Sequence, residues 1–381
     1  NPAGVDFTVP APPTTLPTNE NGIGDNPLVI NGFPDNQANF TFDFGYLGFD
    51  FGDAPNTYAT TQASTGAVHT VTPDLYLGAC VDIDIDGQPE AMAGFMTGGD
   101  DGNAGPGALG TCTPLADDEN GISFPTPLIP GNSACVKVTA RNNTGGPAFL
   151  QAWIDFNGNG TFEATEQLTT GNFAPAGASI PNGGVTAQNF CFDVPATASF
   201  NGGNLYARFR YSKLGGVSAT GPAIPGNGVF PNGEVEDYKL PLGLIGNYVW
   251  MDNPDIEGDQ DATEMPLANV KINLTWAGED GIFQTSANSG APAGDDRVYM
   301  STTDANGRYE FRGVIPSTNY RILADKYTAP NGVIGATINP VNKILTIPNL
   351  APANDNNDSD GAPVINVSIP NLTAAFMPTG E

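Results

Sequence analysis

A single histidine, His69, stands among 381 residues, and lysine and arginine together number 13 against 41 aspartates and glutamates. With one imidazole, neither a His-based zinc site nor a Ser–His–Asp arrangement can be assembled. The formal net charge of −28 excludes a nucleic-acid partner, because nothing here could neutralise a run of phosphates. No run of about 18 apolar residues occurs, so no membrane span is predicted. No window sustains a helical period over three turns. His69, in "GAVHTVT", alternates with apolar neighbours and reads as structural. Catalysis has little footing. Carboxylate pairs of the kind glycosidases use abound, but Asp- and Asn-rich turns explain them without a raised pKa.

What is present is 48 glycines and 34 prolines punctuating short β-rich runs such as "ACVKVTARN", "LYARFRYS" and "VKINLTW". Alternation with turn signals recurs throughout, which predicts an all-β chain. The organisation reads as two β-sandwich domains in tandem, residues 47–242 and 243–381, behind an extended N-terminal segment, 1–46. That segment begins with "PAPPTTLPT", a stiff Pro-rich stretch, and closes on an alternating strand carrying Phe40, Phe42 and Phe44 on one face. The chain begins at Asn1 without Met, as a processed chain or a fragment would. Seven N-x-[ST] sequons are mostly chance in so Asn- and Thr-rich a sequence.

Cys80, Cys112, Cys135 and Cys191 allow three pairings. Cys80–Cys112 would tie two acidic loops, and Cys135–Cys191 would tie the strand starts "ACVKV" and "FCFDV". Two disulfides imply an oxidising compartment outside the cytoplasm.

The acids gather in Gly- and Asn-rich loops, where hard cations bind. "DFNGNGTFEATE" fits the calcium-loop pattern D-x-[DN]-x-[DN]-G-x₅-E, with Asp155, Asn157, Asn159, Thr161 (through its carbonyl) and Glu166 as ligands. It follows the strand "FLQAWI" and is expected on a strand–turn–strand unit; an Asx-rich turn is the plain alternative. In "VDIDIDGQPE", Asp82, Asp84 and Asp86 fall at period two, hence on one face of a predicted strand. With Asp117 and Asp118 they form a second candidate cation site, or else a charged edge that deters aggregation. Glu234, Glu236 and Asp237 could be further ligands; equally, Glu236 could cap strand ends while Val235 fills the core.

Several motifs carry a family resemblance. "FGDAPNTY", "LYLG", "DDENGI", "AWIDFNGNGTF", "YARFRYS" and Gly233-Glu234-Val235-Glu236-Asp237 run in the order of the bacterial GEVED domain. "GNYVWMDN", "PLANVKINL", "TTDANGRYEF" and "NDSDG" resemble the SdrD B-like, Cna B-type repeats of surface adhesins. That resemblance implies prealbumin-type sandwiches that bind calcium and act as stalks or spacers. It points to Asp252, Asp255, Asp261 and Glu264, with Asp304, Asp358 and Asp360 near them; Pro254 and an extra residue depart from the family's loop. Residues 20–46 resemble the end of another such repeat, with its "DFG" strand, and the last unit lacks that ending. Lys271 could donate to an isopeptide crosslink, but no Asn and acid partner can be assigned.

Together these features predict a non-enzymatic, calcium-stiffened extracellular protein: a stalk, matrix component or fibre subunit. Its partners would be copies of itself, joined head to tail by strand donation from residues 1–46, or neighbouring repeats of a longer chain. The alternatives are an adhesin or module holding a host or carbohydrate ligand, with Tyr58, Tyr76 and Tyr211 as aromatics to inspect, and an accessory domain of a secreted hydrolase.

Overall fold

The strand Leu205–Ser212, LYARFRYS, sets the pattern of the middle domain. Ala207, Phe209 and Tyr211 point into a core, while Arg208 and Arg210 point the other way and are nevertheless fully buried. A sheet with both faces covered therefore lies at the centre of this domain. The computed structural model describes residues 48–84, 86–89, 109–110, 118–174, 177–200, 205–221, 231–240, 242–251, 264–283, 295–315 and 318–324. The expected assembly strand, Phe40, Phe42 and Phe44, lies outside these residues, as does Cys112.

The central sheet runs Gly233–Leu240, Leu205–Ser212, Ala148–Ile154, Ala178–Ile180, all antiparallel. Facing it is a sheet of Val185–Asp193, Ser133–Asn142 and Leu75–Leu77, with Ile122–Ser123 also paired to Ser133–Asn142. Leu75, Leu77, Val136, Val138, Leu150, Phe173, Phe192, Phe209 and Tyr238 fill the space between them. On the opposite face of the central sheet, Phe49–Phe51 and Val68–Thr70 form a two-stranded cover. The expected sandwich is present, with an additional layer.

Cys191 sits directly opposite Cys135 on neighbouring strands, and the two are bridged as predicted. Cys80 is also disulfide-bonded. A second core, in the last domain, gathers Val270, Ile272, Leu274, Trp276, Tyr299, Phe311, Val314 and Tyr320. Its sheets are Arg297–Thr302, Lys271–Trp276, Tyr320–Ala324 in that order, Gly243–Tyr248 with Arg308–Val314, and Trp250–Met251 with Met265–Pro266. Among the described residues the helical elements are four three-residue 3-10 turns. No helix there is long and apolar enough to cross a membrane.

Candidate functional site

Trp153 and Ile154 end a buried strand, and the chain then turns on Asp155, whose side chain is fully buried. A carboxylate placed there must be fully hydrogen-bonded, and it is. Its Oδ1 accepts the N–H groups of Gly158 at 2.7 Å and Asn159 at 3.1 Å. Its Oδ2 accepts Gly160 N–H at 2.9 Å and the Tyr58 hydroxyl at 2.6 Å. Successive Asx turns follow: Asn157 Oδ1 accepts Asn159 N–H, and Asn159 Oδ1 accepts Thr161 N–H, both at 2.9 Å. Gly158 and Gly160 supply the left-handed backbone, at φ 70° and 84°, that lets the chain coil round its own acceptors.

Glu166 closes the loop from a 3-10 turn, Ala164–Glu166, rather than from the expected second strand. It accepts Asn157 N–H at 3.2 Å and Glu163 N–H at 3.1 Å, in a reciprocal capping box with Glu163. Burial raises its pKa, partly offset by those backbone bonds and reinforced by the charges of Asp155 and Glu163. The oxygens of Asp155, Asn157 and Glu166 all bond the backbone of residues 157–159, so the hard donors of the pattern surround one turn. They are oxygens of the kind that hard cations take, and here they accept N–H groups of the loop backbone.

Tyr58 fixes the loop to the start of the domain. Its ring packs on Phe162, with centroids 4.5 Å apart, and on Tyr206 at 5.2 Å. Burial, then the Asp155 hydrogen bond, raises its pKa, so it stays a donor.

The five-residue motif Gly233–Asp237 does different work. Its residues are all buried on the edge strand of the central sheet, and each carboxylate holds a separate stretch of backbone. Glu234 Oε2 accepts Leu77 N–H. Glu236 Oε1 accepts Gly121 N–H at 2.9 Å and Asn120 N–H at 3.2 Å, and its Oε2 accepts the Tyr238 hydroxyl. Asp237 accepts Ala54 N–H at 2.8 Å and takes both Nε and Nη2 of Arg208, at 2.8 and 2.7 Å. Reciprocally, Val235 N–H donates to Asp50. Gly233 is required because a Cβ there would stand 2.1 Å from the Tyr211 carbonyl oxygen. Glu236 meets the capping expectation, holding the backbone just ahead of Ile122–Ser123, and Val235 is buried.

Arg208 and Arg210 are the counter-charges. Arg208 also donates to the carbonyls of Tyr58, Ala59 and Ala219. Arg210 donates to Val68 and Ser218 carbonyls and, through Nε, to His69 Nε2 at 3.1 Å. His69 must therefore be neutral with its proton on Nδ1, 3.2 Å from the Pro231 carbonyl. Burial, then the Arg210 charge, holds its pKa well below the usual range. Arg210 is pushed down to about 9 by burial and by Arg208, and stays charged at neutral pH.

Glu234 is the opposite case. Burial and the neighbouring Glu236 and Asp50 push its carboxyl well above the usual range.

The Asp82–Asp86 expectation changes in one respect. The strand there is Cys80–Val81, and it ends before the aspartates. Asp84 turns to accept Phe51 N–H, while Asp86 accepts Gln62 and Gly87 N–H. Beyond that strand Asp84 pairs with Phe49 in an isolated antiparallel bridge, so the three aspartates do not share one strand. Asp82 N–H donates to Asp118; Asp117 lies outside the described residues. In the last domain Asp304 accepts Asn306 and Arg308 N–H in the tight turn between Arg297–Thr302 and Arg308–Val314. Glu264 is described, whereas Asp252, Asp255, Asp261, Asp358 and Asp360 are not. No group of three or more His, Cys, Asp or Glu among the described residues is arranged to hold a metal. Tyr58, Tyr76 and Tyr211 are all buried, so they form no exposed aromatic groove.

These layers and clamps define a class: tandem antiparallel β-domains built from loop-capping carboxylates. Residues 149–241 match the GEVED domain, and residues 243–373 match the SdrD B-like domain. The chain carries a GEVED domain followed by an SdrD B-like domain, in the order its motifs indicated. It is 26% identical over 191 residues to serine-aspartate repeat-containing protein C of Staphylococcus aureus strain MRSA252, covering 46% of this chain and 19% of that protein. It is also 26% identical over 149 residues to serine-aspartate repeat-containing protein E of strain USA300, covering 39% and 11% respectively. The chain thus spans a fifth or less of the length of these relatives.

Proposed function

We propose that the chain is a non-enzymatic structural segment of a bacterial surface or secreted protein, stiffened by calcium at the Asp155 loop. The carrying observation is the convergence of Asp155, Asn157 and Glu166 on one three-residue turn. When bound, the ion would draw these oxygens, Asn159 Oδ1 and the Thr161 carbonyl to one centre and offset the repulsion between Asp155 and Glu166. The GEVED and SdrD B-like matches support a repeat-domain role in a longer chain.

Head-to-tail assembly belongs to the same reading. The Arg297–Thr302 strand pairs on one side only among the described residues, and its Val298 and Met300 are 58% and 77% exposed. Such an edge suits an added strand, and "NQANFTFDFGY" of a neighbouring copy has the alternation to be one. Calcium is tested by thermal unfolding in EDTA and in millimolar calcium, with magnesium as control. At 100 times the dissociation constant one site adds about 2.7 kcal/mol. Glu166→Ala should remove the calcium-dependent part alone, and an unchanged transition refutes the calcium reading. Assembly is tested by sedimentation of the intact chain and of a variant lacking residues 1–46. Fibres lost with the segment support donation; a monomer at high concentration from the intact chain contradicts it.

A further inference from the structure

The strand Arg308–Val314 contains an irregularity that its own domain does not explain. It pairs with Gly243–Tyr248, but the register steps from Gly243↔Val314 to Leu244↔Arg312, leaving Gly313 as a bulge. Gly313 has φ 81°, a left-handed conformation that favours glycine. A bulge re-aims the groups of the residue it extrudes. Here the Gly313 carbonyl accepts Leu128 N–H of the GEVED domain at 2.8 Å. A Cβ on Gly313 would stand 2.2 Å from the Leu128 carbonyl oxygen and 2.9 Å from the Phe200 ring.

The next residue along that loop, Ile129, is buried in the core of the last domain, with Val270, Trp276, Phe311 and Val314 as members of the same cluster. Its neighbour Leu128 belongs to the core of its own domain. One dipeptide therefore anchors two cores. Around it, Arg312 donates to the Ser199 carbonyl at 3.2 Å and Arg297 to the Ser133 carbonyl at 3.1 Å. Glu279 pairs with Lys137 at 2.5 Å and accepts from Asn189. An apolar plug ringed by polar contacts is the anatomy of a specific interface.

We propose that the GEVED domain is a folding cap for the SdrD B-like domain that follows it, with Leu128–Ile129 as the plug and the Gly313 bulge as the socket. The last domain then reaches full stability only when docked, and the junction sets a fixed angle instead of a flexible joint. This holds with or without calcium at Asp155.

The test is amide hydrogen exchange of the intact chain, read by peptide, in Ile129→Ser. Exchange across residues 270–276 and 308–314 should accelerate by about tenfold or more, because stability lost from a core shows as local opening. Exchange in 148–154 and 205–212 should stay as in the wild type. Unchanged protection in the last domain overturns the proposal. Should Ile129→Ser also loosen its own domain, Gly313→Val decides from the other side, since it changes no residue of the middle domain itself. It should expose the Leu128 amide to exchange, and continued protection of that amide overturns the socket.

Discussion

Replacing Asp237 by Asn would leave the Arg208 guanidinium charged and without its partner in a place with no access to water. Both side chains are 0% exposed, and their bidentate bonds are 2.7 and 2.8 Å. Removing one member of a buried pair costs about 3–5 kcal/mol, because the remaining charge stays desolvated. Three backbone carbonyls and Thr60 Oγ1 still receive Arg208 donors, which places the expected loss at the lower end, about 3 kcal/mol. With a urea dependence of about 1–3 kcal/mol per molar, the midpoint should fall by roughly 1–3 M. Trp153, buried two residues before Asp155, reports this transition by fluorescence. The double variant D237N/R208Q should recover part of the loss, as coupled neighbours do. A loss under about 1 kcal/mol would refute the reasoning, since it would mean that the pair is hydrated in solution.

Two further predictions follow from the same layer and the loop beneath it. His69 is neutral in the fold and titrates near pH 6.5 when unfolded, so the unfolded chain binds more protons below that pH. Its contribution is intact above pH 6.5 and is lost on acidification by up to about 1.4 kcal/mol per pH unit, until the folded pKa is reached; His69→Gln should flatten that part of a pH series of urea midpoints, and an unaltered slope would contradict the assignment. Tyr58→Phe deletes a hydroxyl donor to a buried carboxylate and should cost about 1.5–3 kcal/mol, while leaving the calcium-dependent stabilisation in place because Tyr58 is not a ligand; loss of that calcium-dependent increment would count against the loop geometry.

Much of this was legible in residues, and the limits are physical. Alternation in "ACVKVTARN" and "FCFDV" predicted strands whose first cysteines would meet, and the register places them opposite each other. The strand before Asp155 was equally plain. The same alternation misleads in "LYARFRYS", where Arg208 and Arg210 would be assigned to solvent. Their cover comes from Phe49–Phe51 and Val68–Thr70, more than 130 residues earlier, and period-two patterning carries no information about a third layer. The partners of Glu234 and Glu236 are backbone N–H groups at Leu77, Asn120 and Gly121, which no side-chain pattern can announce. A signal did exist: arginines are few in this chain, and two of them fall on a strand that precedes a four-residue stretch with three acids. Gly313 and Ile129 were invisible for the same reason, since a bulge and a single loop isoleucine acquire meaning only across the domain junction.

The central claim is that calcium stiffens a structural segment, and force measures stiffness. In single-molecule pulling of the intact chain between handles at its two ends, the account predicts a higher unfolding force in millimolar calcium than in EDTA, with Glu166→Ala held at the EDTA value in both. Equal forces in calcium and EDTA for the unaltered chain would contradict it.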